Sequence, residues 1–219
     1  MNQAIASILK AYIEDLDFVE KIAGLVQKVT FKIDGVEKSF PVACCVSVED
    51  CKNGAYNDLT PDSKYRSVIY FEDGGVSLSK YESNWKYYTS RLRLVGWLNV
   101  KMILGEDCGE TCTYAAHAIA DIIRHLPSHP QNVAPFDFVY PEITNEIVRS
   151  NSIFANYTYN ELQTQYLMAP YDFFALDIQT NFAICIKGTS VYSSCDEVAV
   201  SETCLITGLT DDSGDIITS

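Results

Sequence analysis

The stretch from Tyr87 to Leu104 constrains this chain more than any other. Leu92, Leu94, Leu98, Val100, Met102 and Leu104 fall on one face of an extended backbone, and Arg91, Arg93, Asn99 and Lys101 on the other. Such alternation marks a strand with one buried and one wetted face. It is far longer than the usual five or six residues or so, so it is expected to span a sheet and continue beyond it. Partners for its edges are visible on both sides. Thr30–Ile33 and Val36–Val42 flank Asp34-Gly35, and Ser67–Glu72 and Val76–Tyr81 flank Asp73-Gly74-Gly75. Both spacings predict hairpins. Asp177–Lys187, with Ile178, Phe182, Ile184 and Ile186 apolar, predicts a returning strand.

Helical spacing appears in two places. Ile5, Ile8, Leu9, Tyr12, Ile13, Leu16, Val19, Ile22 and Val26 recur every three or four positions, which predicts a helix over 2–28. Asp17 followed by Glu20 resembles a capping box and places a break near Glu14–Asp17. A second helix is predicted over Glu110–Leu126, with Ala115, Ile119, Ile122, Ile123 and Leu126 on one face and Leu126-Pro127 ending it. The polar stretch Val48–Ser63, with Asn53-Gly54 and Pro61, reads as a loop. From Phe136 to Lys187 the chain is strand-like and aromatic, and Asn160–Leu167 is predicted as a short helix. These rings are expected in a core or subunit interface, though they could also stack on sugars or bases.

Charge and composition limit function. With 47% apolar residues, a disordered chain is excluded. A net charge of −13 argues against a surface that binds nucleic acid by neutralising phosphates. The charge is uneven: residues 1–124 carry net −3, whereas 125–219 carry net −10, with only Arg149 and Lys187 as cations. That half is expected to offer either a solubilising surface or a negative wall to something it must not bind. Met1-Asn2-Gln3 runs directly into an amphipathic segment, so no signal peptide is expected. No apolar run approaches the ~18 residues of a membrane span. Cytoplasmic synthesis then favours reduced thiols for Cys44, Cys45, Cys51, Cys108, Cys112, Cys185, Cys195 and Cys204, and an idle sequon at Asn156-Tyr157-Thr158.

No catalytic constellation emerges. Cys108-Gly109-Glu110-Thr111-Cys112 resembles a cyclotide motif over five residues, but in a chain of 219 that match carries no fold. Zinc held by Cys108, Cys112, His117 and His125 is disfavoured, because offsets of five and eight residues turn helical side chains apart. A Cys–His nucleophile pair has no local support among His117, His125 and His129. Asp73-Gly74-Gly75 lacks the Lys and Ser/Thr of a phosphate loop. No catalytic, cofactor-binding or metal residue is assigned, and the chain is expected not to be an enzyme.

The order of elements resembles the tail terminator and neck (head-to-tail connector) proteins of tailed bacteriophages. Ala4–Val26, the Arg91–Leu104 strand, Thr113–Leu126 and the Phe173–Ile186 return strand carry the resemblance. A composition rich in Tyr, Asn, Ile and Asp and poor in Arg is similar to proteins of phages infecting gut Bacteroidetes, including crAss-like phages. The resemblance implies an α+β fold: a small antiparallel sheet with two main helices on one face, long projecting hairpin strands (Val76–Arg93 as the arm) and a C-terminal extension. Residues 1–188 would form one connector-like domain and 189–219 the extension, mobile from Asp211. It implies a structural virion protein, assembled in the host cytoplasm as a ring of six or twelve copies. That ring would dock on neck, portal or tail proteins and conduct double-stranded DNA, with part of the acidic 125–219 surface facing the channel. A different class stays open: a soluble module binding a glycan or protein through the aromatic 136–174 region.

Overall fold

The computed structural model describes residues 1–33, 35–43, 57–82, 84–105, 113–158 and 165–185. The extension 189–219, the Cys108–Cys112 motif and Cys44, Cys45, Cys51, Cys195 and Cys204 lie outside them. The strands are β1 (Lys21–Ile33), β2 (Val36–Ala43), β3 (Ser67–Glu82), β4 (Trp85–Asn99), β5 (Gln131–Val133), β6 (Phe136–Val148) and β7 (Tyr171–Cys185). The helices are α1 (Asn2–Ile13), α2 (Val100–Leu104) and α3 (Ala115–His125), with a 3-10 turn at Gln165–Leu167.

All seven strands join one sheet in the order β2-β1-β3-β4-β7-β6-β5. The β1–β3 pair is parallel and the others antiparallel. The expected small antiparallel sheet dominated by two helices is therefore wrong. Strands hold 53% of the described residues, and the mixed sheet curls into a half-barrel. The physical reason lies largely in segments whose apolar spacing suits either period. Residues 21–28 were expected to continue the first helix, but α1 stops at Glu14, within the predicted break. Beyond it Lys21–Leu25 pair with Val68–Phe71 of β3, through a bulge between Ile22 and Leu25, and Val26–Ile33 pair with β2. Gly24 and the β-branched residues that follow disfavour a helix by up to about 1 kcal/mol each, and the two ladders decide the matter. The Asp17/Glu20 pattern caps no helix. Arg66 donates through its backbone N–H to Glu20 and through Nη1 to the Asp17 carbonyl (2.7 Å), so the pair fastens the start of β3.

The hairpin at Asp34-Gly35 is found, with Ile33 opposite Val36. The second expected turn is not. Strand β3 runs through Asp73-Gly74-Gly75 as a bulge, and its connection to β4 lies between Glu82 and Trp85. Gly75 sits at φ +90°, and Asp73 Oδ1 accepts from its N–H at 2.7 Å. The turn-like tripeptide thus becomes an irregularity within a strand. The Val76–Arg93 segment does not project as an arm either, because Trp85–Arg93 pair along their whole length with Asp177–Cys185. Strand β4 ends at Asn99 instead of Leu104. There the Asn99 side chain accepts from Met102 N (3.4 Å) and donates to Ser63 O (3.1 Å), turning the chain into α2.

Two apolar layers sandwich the sheet. On one face α1 (Ile5, Leu9, Ile13) and α3 (Ala118, Ile119, Ile122) pack on Phe71, Leu92, Leu94, Phe174, Leu176 and Phe182. On the other, Leu59, Ile153, Phe154 and Tyr157 cover Tyr70, Val95, Trp97 and Phe173. Both faces of β4 are therefore buried from Leu94 to Leu98, where the sequence pattern indicates a wetted side.

Candidate functional site

Beyond the second apolar layer, the sheet face opposite the helices turns polar. Register places Glu72 of β3 beside Arg93 of β4, Arg93 beside Asp177 of β7, and Asp177 beside Asn145 of β6. Arg93 donates to both Asp177 oxygens (2.7 and 3.4 Å), and Asn145 Nδ2 donates to the same carboxylate at 3.1 Å. Partial burial works against the charge of Asp177. The Arg93 and Asn145 hydrogen bonds and the guanidinium charge outweigh it and hold its pKa below the usual carboxylate range. Glu72 goes the other way. Burial pushes its pKa up, against a Tyr157 hydrogen bond and the Arg93 charge, with Asp177 adding like-charge repulsion. Its Oε1 is buried without a hydrogen-bond partner among the described residues.

A carboxyl raised in the folded state favours folding most when protonated, and that contribution is lost as pH rises through the folded pKa. Glu72→Gln, which mimics the protonated form, is therefore expected to raise the melting temperature at neutral pH and above. The gain should shrink toward pH 4.5, the ordinary glutamate value. Thermal melts across that window check it, and a loss of stability at neutral pH would show that the Arg93 attraction dominates instead.

Further along the same face, register brings Ser77, Thr89, Asn181 and Tyr140 into one row across four strands. Thr89 donates to Asn181 Oδ1 at 2.9 Å. Trp85 meets Phe138 edge-on with ring centroids 5.8 Å apart. The aromatic and amide groups here are only partly exposed, and no acid, base and nucleophile converge among them.

A separate open depression of about 460 Å³ is lined by Ser63, Gln165, Tyr166, Met168, Ala169 and Tyr171. Two of its lining residues are held from behind by the buried Trp97, which donates through Nε1 to Tyr166 O (2.6 Å) and stacks on Tyr171 at 5.1 Å. Tyr166 and Tyr171 meet edge-on at 5.3 Å. Burial raises the Tyr171 pKa, assisted by Tyr166 and Asp62, so the hydroxyl stays a neutral donor in ordinary buffers. Rings held at fixed angles beside amide and hydroxyl groups can take the apolar face of a neutral ligand.

The residues singled out by sequence are dispersed. His117 stacks on Tyr114 at 5.8 Å, and His125 Nδ1 lies 2.7 Å from Asp121 O, a helix-end contact. Among the described residues no three His, Cys, Asp or Glu are grouped to hold a metal. Cys185 is disulfide-bonded, which corrects the expectation of a reduced thiol at that position. Of the aromatic stretch, Phe136, Phe154, Tyr157, Phe173 and Phe174 are core, Phe138 is 48% exposed, and Tyr159 lies outside the described residues. Of the acidic residues of 125–219, Glu161, Asp196, Glu197, Glu202, Asp211, Asp212 and Asp215 lie outside the described residues. Asp172 and Asp177 are bound to Arg149 and Arg93, whereas Asp137, Glu142 and Glu146 line β6. Sequence reasoning missed Asp172 and the Glu72–Arg93–Asp177 row. A carboxylate in the apolar run Tyr171–Leu176 was the available signal for the first.

No helix among the described residues is long and apolar enough to cross a membrane. The chain matches no protein-family model and no curated protein.

Proposed function

We propose that this chain is a non-enzymatic structural subunit that closes with copies of itself into a ring in the neck of a tailed-phage virion. The observation that carries the reading is the open sheet. Among the described residues the curled seven-stranded half-barrel has two borders, β2 on one side, where Ser39 O accepts from Thr158 N, and β6 with short β5 on the other. Sheet borders are the features through which sheet proteins associate. The pairing of β4 with the return strand β7 also suits the connector resemblance. In this reading the ring docks on adjoining neck, portal or tail rings, and its net −13 charge keeps passing DNA from adhering. Negative-stain microscopy with native mass determination tests it. Closed rings of six or twelve copies with an open centre are the expected result, and a monomer at every concentration is the contrary one.

A second reading rests on the depression lined by Tyr166 and Tyr171, both of which contact Trp97: a binding module for a neutral glycan. Titration of the full chain with neutral oligosaccharides should then change its tryptophan emission, and Tyr171→Ala should abolish the change. Unchanged emission across the panel would remove this reading.

A further inference from the structure

The two borders of the sheet carry opposite, unpaired charges. Strand β1 leaves β3 after Leu25, and Val26–Ile33 continue with β2 as a two-stranded ribbon. Lys28, Lys32 and Lys38 lie on this ribbon, and none of them makes an ion pair among the described residues. With Asp34 and Glu37 included, the sequence from 26 to 43 is net +1 in a protein of net −13. At the opposite border Asp137, Glu142 and Glu146 of β6 are likewise free of ion pairs, and β5 and β6 contain no Lys or Arg. Each border also exposes large apolar groups: Val36 (56%) on the ribbon, Phe138 (48%) and Val148 (47%) on β6.

We propose that the β1–β2 ribbon of one copy docks on the β6 border of the next. This rests on the ring reading above and adds the surfaces and the symmetry. Two β6 borders would set like charges together, and two ribbons would each bring an excess of lysine although Glu37 stands opposite Lys32. Ribbon against β6 border sets lysines against carboxylates, so charge favours a head-to-tail contact. A head-to-tail contact generates a closed ring or a filament, never a two-fold dimer. The overall negative charge does not forbid it. At about 0.1 M salt the screening length is near 10 Å, so charges elsewhere on each copy are muted while those in contact are not. The contact works through side chains rather than an extended ladder, since Ser39 O on β2 already accepts from Thr158 N at 2.9 Å. It also assigns the three β6 carboxylates to a subunit contact rather than to the channel wall expected from sequence.

Charge exchange on the full-length chain tests the pairing. Lys28→Glu with Lys32→Glu reverses the ribbon, and Glu142→Lys with Glu146→Lys reverses the border. Each double variant alone should weaken self-association at least about tenfold in Kd by sedimentation. Mixing the two variants, or combining all four changes in one chain, should restore assembly. All are surface changes, and thermal melts verify folding. If the wild-type protein assembles and the reversed variants assemble equally well, the surfaces are wrong while the ring reading survives. A wild-type protein that stops at two-fold dimers overturns the head-to-tail contact, and one that stays monomeric overturns both. Salt gives an independent check that needs no variant: assembly should weaken as salt rises, and strengthening with salt would count against charge pairing.

Discussion

Replacing Asp172 by alanine is expected to cost about 3 kcal/mol, the range for stranding one half of a buried pair, and so to lower the melting temperature by roughly 10 °C. The residue is fully buried at the start of β7. Its Oδ2 accepts from the backbone N–H groups of Tyr114 (2.8 Å) and Ala115 (2.9 Å), which open α3. Its Oδ1 accepts from Arg149 Nε (2.7 Å) and from its neighbour Phe173 N (3.0 Å). One carboxylate therefore serves the free donors of a helix start and ties the end of β6 to β7. Removal leaves buried N–H groups without partners, each costing about 1–3 kcal/mol. Arg149→Ala should cost less, because the Asp172 carboxylate keeps the three backbone N–H donors of Tyr114, Ala115 and Phe173, and water can enter where the 42% exposed arginine side chain stood. Chemical denaturation of both variants checks the order. Equal, small losses would mean that α3 draws its stability from apolar packing alone.

Gly96→Ala is the second large effect, a loss of about 1–3 kcal/mol from overpacking. Gly96 of β4 lies opposite Phe174 of β7. A Cβ there would sit 2.5 Å from two atoms of the Phe174 ring, which is wholly buried and hemmed by the helix-side core. The methyl group and the ring cannot share that space. Phe174→Leu alone should also destabilise, by opening a cavity. Combining the two should recover part of the loss, so a double-mutant cycle should show a coupling of at least about 1 kcal/mol. Strict additivity would show that the ring does not rest on the glycine.

Local pattern carried much of this fold. The strand around Tyr87–Leu98, the Asp34-Gly35 hairpin, the apolar stripe of α1 up to Ile13 and the Leu126-Pro127 stop are each set within a few residues and are found, although the expected one-sided burial of that strand is lost from Leu94 to Leu98. Errors arose where one string satisfied two periods. Ile22 and Val26 fit a helix repeat and also line a bulged strand, and only the β2 and β3 ladders separate these options. Asp73-Gly74-Gly75 is competent as a turn and as a bulge, and the partners of β4 choose the bulge.

The candidate surfaces were less legible than the elements that bear them. Glu72, Arg93, Asp177 and Asn145 come from four strands and are separated by up to a hundred positions or so, so no spacing rule joins them. The Trp97–Tyr166–Tyr171 cluster is likewise a product of long-range contact.

By itself the sequence determined the acidity, the apolar content sufficient for a core, the tight turn at Asp34-Gly35 and the sidedness of two helices, because each follows from composition or from neighbours within a turn or two. Only the tertiary structure decided the number and order of strands, the parallel β1–β3 pair, the burial of Asp172 and the separation of basic and acidic borders. Those depend on which distant segments share a ladder, and hydrogen bonding between backbones is indifferent to the side chains that sequence patterns record.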